Sequence, residues 1–261
     1  MAKSVFNQPH YVALSSKETP WLSRLIEQIK QTGMTLTNAI DVGCGPGHFS
    51  RVLHEAGINV LGVDGRASNV EAARIANPQI PFHEANVEDD VILTLGTFDL
   101  VLCLGLLYHL ENTFLAIRNL CRITNGVLIG ESRIAPSRKA ILMLYEEGTT
   151  EDQGLNYIAL VPSEACLVKM LYTAGFEFVY LSKRLPLHPD FGGHFSTVRV
   201  RTCFVASRLP LHVPDLIQAP NVTYHSNLWH RWWVRLVAPK ARRLLQGTRQ
   251  RAKDSRSPEG T

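Results

Sequence analysis

Between Thr37 and Gly130, short apolar runs of strand character alternate with stretches of helical period, and this alternation limits the fold more tightly than anything else in the chain. Thr37 to Val42, Asn59 to Val63, Pro81 to Ala85, Phe98 to Leu104 and Gly126 to Gly130 read as strands. Gly47 to Ala56, Ser68 to Ala76 (capped by Ser68 or Asn69) and Asn112 to Ile123 read as the helices between them. Phe98 to Leu104 is apolar on both faces except at its start, as a central parallel strand must be. Units alternating at this pitch pair as a parallel sheet with helices on both faces, joined by right-handed crossovers.

Upstream, Trp21, Leu22, Leu25, Ile26 and Ile29 repeat at helical spacing before Gly33, which predicts a helix over 21–32. After Glu131 the pattern loosens. Ala140 to Glu147 reads as a short helix followed by a polar loop, and Ser163 to Ala174 as a helix capped by Gly175. Glu177 to Ser182 and Arg199 to Ser207 read as two final strands around the loop 184–196. Residues 209–225, with Pro210, Pro214 and Pro220, read as a linker. The expected fold is α/β, a Rossmann-like doubly wound seven-stranded sheet, mostly parallel with an antiparallel last strand. The expected organisation is an N-terminal helical segment (1–36), a ligand-binding domain (37–208) with insertions at 132–162 and 184–198, and a linker with a basic Trp-rich tail (209–261).

The 261 residues suffice for one such domain. No apolar run approaches the roughly 18 residues of a membrane span, and Met1 to Ser4 lacks the apolar stretch of a secretory signal. Five cysteines without a CxxC pair point to reduced thiols in the cytoplasm and to no metal site.

Asp41-Val42-Gly43-Cys44-Gly45-Pro46-Gly47 lies between the first strand and its helix. Glycines there allow a tight turn and close approach of a ligand. The spacing is GxGxG and not the GxGxxG of dinucleotide sites, so the ligand needs no phosphate cradle. Asp64, followed by Gly65, ends the second strand, where a carboxylate can accept both hydroxyls of a ribose. Asn86 and Val87 follow the third strand, where a side-chain amide beside a backbone N–H can read an adenine edge. The three elements describe a nucleoside with an amino-acid end. Cys44 reads as a small side chain suited to the loop and not as a nucleophile.

The glycine loop, Asp64 and Phe98-Asp99-Leu100-Val101-Leu102-Cys103-Leu104 resemble, in order, motifs of the class I S-adenosylmethionine-dependent methyltransferases. The resemblance covers roughly residues 37–130. It implies S-adenosyl-L-methionine as cofactor, with Asp41, Gly43, Cys44, Gly45 and Gly47 around the methionine end, Asp64 and Gly65 at the ribose, Asn86 and Val87 at the adenine, and Cys103 and Leu104 beneath the sulfonium. Asn86 stands where that family often has Asp. Gly105-Leu106-Leu107-Tyr108-His109-Leu110-Glu111-Asn112 is similar to a bacterial branch that methylates sugars, lipids and secondary metabolites. Leu-Tyr-His is also similar to the enzyme that carboxymethylates wobble uridine in transfer RNA, although the long N-terminal extension of that enzyme has no counterpart here.

Methyl transfer from a sulfonium needs mainly proximity and alignment, and a hydroxyl nucleophile also profits from a base. His109, just past the fourth strand, is the candidate base, or else a side chain that shapes its loop; Glu131 holds the matching place after the fifth strand, and Tyr108 lines the cofactor pocket or packs. In the insertions, Glu146, Glu147, Glu151 and Asp152 form one polar set and His188, Asp190 and His194 another; neither has metal-site spacing. The expected activity is O-methylation of a small molecule, sugar or lipid-linked glycan. The alternatives are a wobble-uridine enzyme, with nucleic acid the less favoured partner, and a non-catalytic cofactor-binding module.

The net charge of +4 is uneven: residues 226–261 carry nine Lys/Arg and two acids. Leu228, Trp229, Trp232, Trp233, Leu236 and Val237 fall at helical spacing there. Such a helix docks on the domain or lies in a membrane interface, at the inner face of the membrane in this case. The sequence sets no oligomeric state.

Overall fold

The computed structural model describes residues 5–192 and 199–223. Helix α1 (Pro9–Gln31) buries Leu14, Glu18, Trp21, Leu22, Leu25, Ile26 and Ile29 along one stripe. It is a dozen residues longer at its N-terminus than the periodicity predicts. Pro20, which supplies no N–H, lies inside the helix, and Pro9 is the proline that starts it.

The strands are β1 (Asn38–Val42), β2 (Asn59–Asp64), β3 (Phe82–Glu84), β4 (Phe98–Leu104) and β5 (Thr124–Arg133). Between them run α2 (His48–Glu55), α3 (Ala67–Ala76) and α4 (Thr113–Ile123). After β5 come β6 (Leu142–Glu146), β7 (Ile158–Pro162), α5 (Glu164–Ala174), β8 (Phe178–Ser182), β9 (Arg201–Ser207) and β10 (Leu216–Gln218). The main sheet runs β10-β8-β9-β5-β4-β1-β2-β3. β1 to β5 are parallel, β9 is antiparallel to both β5 and β8, and β10 is antiparallel to β8.

The sheet therefore has eight strands, where seven were expected. The eighth, β10, lies in the stretch read as a linker. Its flanking prolines conceal it, but Leu216 to Gln218 pair with Ser182 to Tyr180. Asp215 beside it is held by Arg24 (2.6 Å) and Arg184 (3.3 Å). The predicted helix over Ala140 to Glu147 is strand β6, paired antiparallel with β7 in a separate two-stranded ribbon. Helical period and strand alternation are hard to tell apart in so short a run, and the partner strand decides. Helix α3 begins after Arg66, without a side-chain cap. The expected cap Asn69 turns its amide to Asp64 and to the Glu151 carbonyl instead.

Two apolar layers sandwich the sheet. In β4, Leu100, Leu102 and Leu104 face the layer that α1 completes, whereas Phe98, Val101 and Cys103 face that of α4 and α5. The described residues up to Asn221 form one compact unit. Among the described residues no helix is long and apolar enough to cross a membrane. The tail's tryptophan stripe, Trp229 to Trp233 with Leu236, and the polar His194 lie outside the described residues.

Candidate active site

The C-terminal ends of β1, β2, β4 and β5 open into one cavity of about 490 Å3. Ligands of open α/β sheets bind at this edge. The glycine loop forms one wall. Gly43 and Gly45 have φ of 76° and 51°, in the left-handed region. A Cβ on Gly43 would lie 3.0 Å from the Leu106 side chain, so glycine lets that leucine close over the turn. The loop's N–H groups are all engaged within the protein. Gly43 and Cys44 donate to the Val63 carbonyl (2.8 and 3.0 Å), Gly45 to Asp64 (2.9 Å) and Gly47 to the Cys44 carbonyl (2.9 Å), while Pro46 has none. No donor of residues 43–47 is left to cradle a phosphate.

Asp64 lies beside this loop. Its Oδ2 accepts from Gly45 N, and its Oδ1 from Arg66 N (2.9 Å) and the Asn69 amide (3.1 Å). Three donors fix the carboxylate and leave lone pairs for ligand hydroxyls. Burial raises its pKa, against the pull of those hydrogen bonds. Asn86 lines the cavity and accepts from the Glu88 N–H (3.0 Å) through its side-chain carbonyl. That bond fixes which edge of the amide turns outward. A nucleoside with an amino-acid end and no phosphate suits this set, and Gly45 and Gly65 provide places where a Cβ would fill the approach: it would meet Phe6 at 3.4 Å and Leu155 at 2.8 Å.

Gly43, Cys44, Gly45, Gly47, Asp64, Gly65, Asn86, Val87, Leu104, Tyr108, His109 and Glu131 all border this cavity. Two residues of the expected set, Asp41 and Cys103, do not. Asp41 is 2% exposed and accepts from the Ser50 hydroxyl (2.6 Å), which ties β1 to α2; burial pushes its carboxyl up to about 6. Cys103 points into the opposite apolar layer, because successive β4 side chains alternate faces. Burial pushes the Cys44 thiol up, so it is no ready thiolate.

On the far side of the cavity His109 sits on a short 3-10 turn, Leu107–His109, and its Nδ1 lies 2.6 Å from Glu147 Oε1. The other Glu147 oxygen accepts from Gly154 N (2.7 Å). Burial alone would raise the Glu147 carboxyl, but the bonds from His109 and Gly154 outweigh it and hold it below the usual range. The β6–β7 ribbon delivers this carboxylate: Leu160 N donates to the Leu110 carbonyl (3.0 Å), pinning the ribbon to the His109 turn. Gly154 is required there, because a Cβ would lie 2.2 Å from the His109 carbonyl oxygen.

Glu131 occupies the expected position but is not free. Arg201 Nη1 lies 3.0 Å from both its oxygens, Arg201 Nε 3.1 Å from Asp190, and Arg201 Nη2 3.1 Å from the Tyr108 hydroxyl. Burial pushes the Tyr108 phenol up to about 12. Helix α1 roofs the cavity, and Tyr11 hydrogen-bonds Asp152 of the insertion. Sequence reasoning passed over Arg201, Glu18, Tyr11 and Gly154. A charged residue opening the otherwise uncharged β9 was the signal available for Arg201.

Residues 40–129 match a family model described as a methyltransferase domain. A ubiquinone biosynthesis O-methyltransferase of Rickettsia typhi is 32% identical over 126 residues, 45% of this chain and 50% of that protein. A tRNA U34 carboxymethyltransferase of Shewanella woodyi is 30% identical over 145 residues, 52% of this chain and 43% of that protein. The chain spans about two fifths of the curated relatives that it first matches, as with the 40% of the Vibrio campbellii ubiquinone biosynthesis O-methyltransferase. Among solved structures, the N-terminal domain of EvdMO1 superposes with a TM-score of 0.60 at 22% identity over 74% of this chain and 82% of that one. Magnesium protoporphyrin IX methyltransferase from Synechocystis superposes with a TM-score of 0.53 at 20% identity over 80% and 86%. These last two likenesses are likenesses of fold. The methyltransferase-domain match lies over the glycine loop, Asp64 and β4, so this part of the chain is similar to methyltransferase domains, and the solved structures share its fold.

Proposed function

We propose that this chain transfers a methyl group from S-adenosylmethionine to a hydroxyl oxygen of a small molecule, a sugar or a lipid-linked glycan. The observation that carries this reading is His109, which lines the same cavity as the glycine loop and Asp64 and is held from behind by Glu147. When bound, the cofactor supplies an activated methyl group and a neutral leaving group. The chain's own residues do the rest. The loop of residues 43–47 and Asp64 hold the nucleoside; Glu147 accepts the Nδ1 proton of His109 and so leaves Nε2 as the basic nitrogen. His109 Nε2 then takes the proton of the acceptor hydroxyl as its oxygen attacks. Glu131 stays ion-paired to Arg201 and positions the Tyr108 turn beside the base. The ubiquinone biosynthesis O-methyltransferases among the relatives support oxygen as the atom methylated.

Incubation with methyl-labelled S-adenosylmethionine and a panel of hydroxyl compounds tests this. Transfer to an oxygen is expected, with His109→Ala lowering turnover by about 10²-fold or more. An unchanged rate in that variant would reduce His109 to shaping its loop. The second reading, modification of wobble uridine, draws on Leu107-Tyr108-His109 and on the Shewanella woodyi relative; labelled transfer RNA would replace small hydroxyl compounds as the product. Lipid-linked acceptors accord with the basic, Trp-containing tail, and co-sedimentation with anionic vesicles of the full chain, but not of one ending at Asn221, is the matching outcome.

A further inference from the structure

The roof helix α1 turns Tyr11, Leu14, Ser15 and Glu18 toward the cavity, one face at i, i+3, i+4 and i+7. Glu18 is 4% exposed, and its Oε1 has no hydrogen-bond partner among the described residues. A buried acid of this kind calls for a reason, because an unsatisfied polar atom costs free energy.

Its surroundings define its state. Glu131 comes from β5, Arg201 from β9 and Asp190 from the short segment Pro189–Phe191. Tyr108 and Tyr11 stand around Arg201, and His188 beside Asp190. Three carboxyls thus lie around one guanidinium, which pairs with two of them, Glu131 and Asp190. Every nitrogen of Arg201 already has a partner, and none of those partners is Glu18. Asp190 keeps part of its hydration at 28% side-chain exposure, and Glu131 has its ion pair. Glu18 has neither, so it is the acid that keeps its proton. Burial first, and then the charge of Glu131, push it up to about 9. A protonated carboxyl at the cavity wall both gives and takes a hydrogen bond.

We propose that Glu18 is an acceptor-binding residue whose O–H donates to, and whose carbonyl oxygen accepts from, an uncharged hydroxyl of the acceptor other than the one methylated. It selects polyhydroxylated acceptors that are neutral at that end. A carboxylate or phosphate there would face three carboxyls with Arg201 already engaged. The proposal rests on the methyl-transfer reading of the same cavity.

Infrared spectroscopy of the full chain at neutral pH provides the test, with glycerol, methylammonium and S-adenosylhomocysteine as probes. The wild type is expected to show the carbonyl stretch of a protonated carboxyl that E18Q lacks; E18D, which moves that band, assigns it should E18Q fail to fold. Glycerol is expected to shift the band while leaving it protonated. Absence of the band, or a band indifferent to glycerol, overturns the proposal and makes Glu18 a structural acid. Loss of the band with methylammonium overturns it in favour of a cationic acceptor, and loss with S-adenosylhomocysteine in favour of the cofactor's amino group. Calorimetric titration of S-adenosylhomocysteine into the same samples reports separately on the cofactor. No binding there with an intact glycerol shift would defeat the methyl-transfer reading and not the Glu18 site.

Discussion

Asp64 accepts three hydrogen bonds from its own loop neighbours and still has acceptor capacity for a ligand. Its removal should therefore cost cofactor binding and, by leaving three protein donors unpaired, some stability of the loop as well. Asp64→Ala is expected to weaken S-adenosylhomocysteine binding by about 1.5–3 kcal/mol, the range for hydrogen bonds to a charged group, as isothermal titration calorimetry would measure. Glu147 differs, since it acts through His109. In Glu147→Gln the amide can donate to Nδ1, which favours the tautomer with the proton on the wrong nitrogen. Turnover is expected to fall about 10–10²-fold, with cofactor affinity within about twofold of wild type. Equal losses in turnover and cofactor affinity would instead mark a general collapse of the insertion.

At the scale of elements, the site is an encounter of a regular sheet edge with two added pieces, the β6–β7 ribbon and the N-terminal half of α1. The ribbon carries both the orienting carboxylate and the glycine that lets the chain pass over the His109 carbonyl. Gly154→Ala must displace one or the other by about 1 Å, because the added Cβ would lie 2.2 Å from the His109 carbonyl oxygen. Activity should drop about tenfold or more, since misplacement of a base by even about 1 Å is costly. The melting temperature, set by the two-layered core, should move little; a large loss of stability would show the ribbon to be part of the core. In α1, the half after Pro20 is anchored by Leu22, Leu25, Ile26 and Ile29 in the core. The half before it faces the cavity and is held by Tyr11 to Asp152 and by Thr19 to His48 (2.9 Å).

For the whole molecule, buried raised carboxyls link stability to pH. Folding lifts Glu18 to about 9 and Asp41 to about 6, in both cases through burial above all. The unfolded chain releases these protons from about pH 4 upward, while the native state keeps them. Such groups therefore favour the native state fully only below that range, and their contribution declines as pH rises, for Glu18 until about 9. The urea midpoint should fall between about pH 5 and pH 9, and E18Q should flatten the slope. A wild-type slope unchanged in that variant would place the titration elsewhere.

The strand–helix alternation, the GxGxG spacing and Asp64 lie within one continuous stretch, and their consequences are local: a turn that needs glycine, a strand end that presents a carboxylate, helices that return each parallel strand to its neighbour. Hence the parallel half of the sheet and the glycine-loop wall of the cavity were legible in the sequence. What lies beyond β5 depends on pairing. Whether Ala140 to Glu147 coils or extends was decided by β7, and β10 exists because β8 offers it an open edge. The same holds for side chains. Asp41 and Cys103 carry the right motif positions, yet strand alternation and the Ser50 hydroxyl turn them away from the cavity. Glu147 reaches His109 across 38 positions of sequence, and Glu18 and Arg201 meet Glu131 from opposite ends of the chain. Periodicity and motif spacing report what a residue does to its neighbours along the backbone; burial, ion pairing and the protonation that follows belong to neighbours in space, which only the folded sheet supplies.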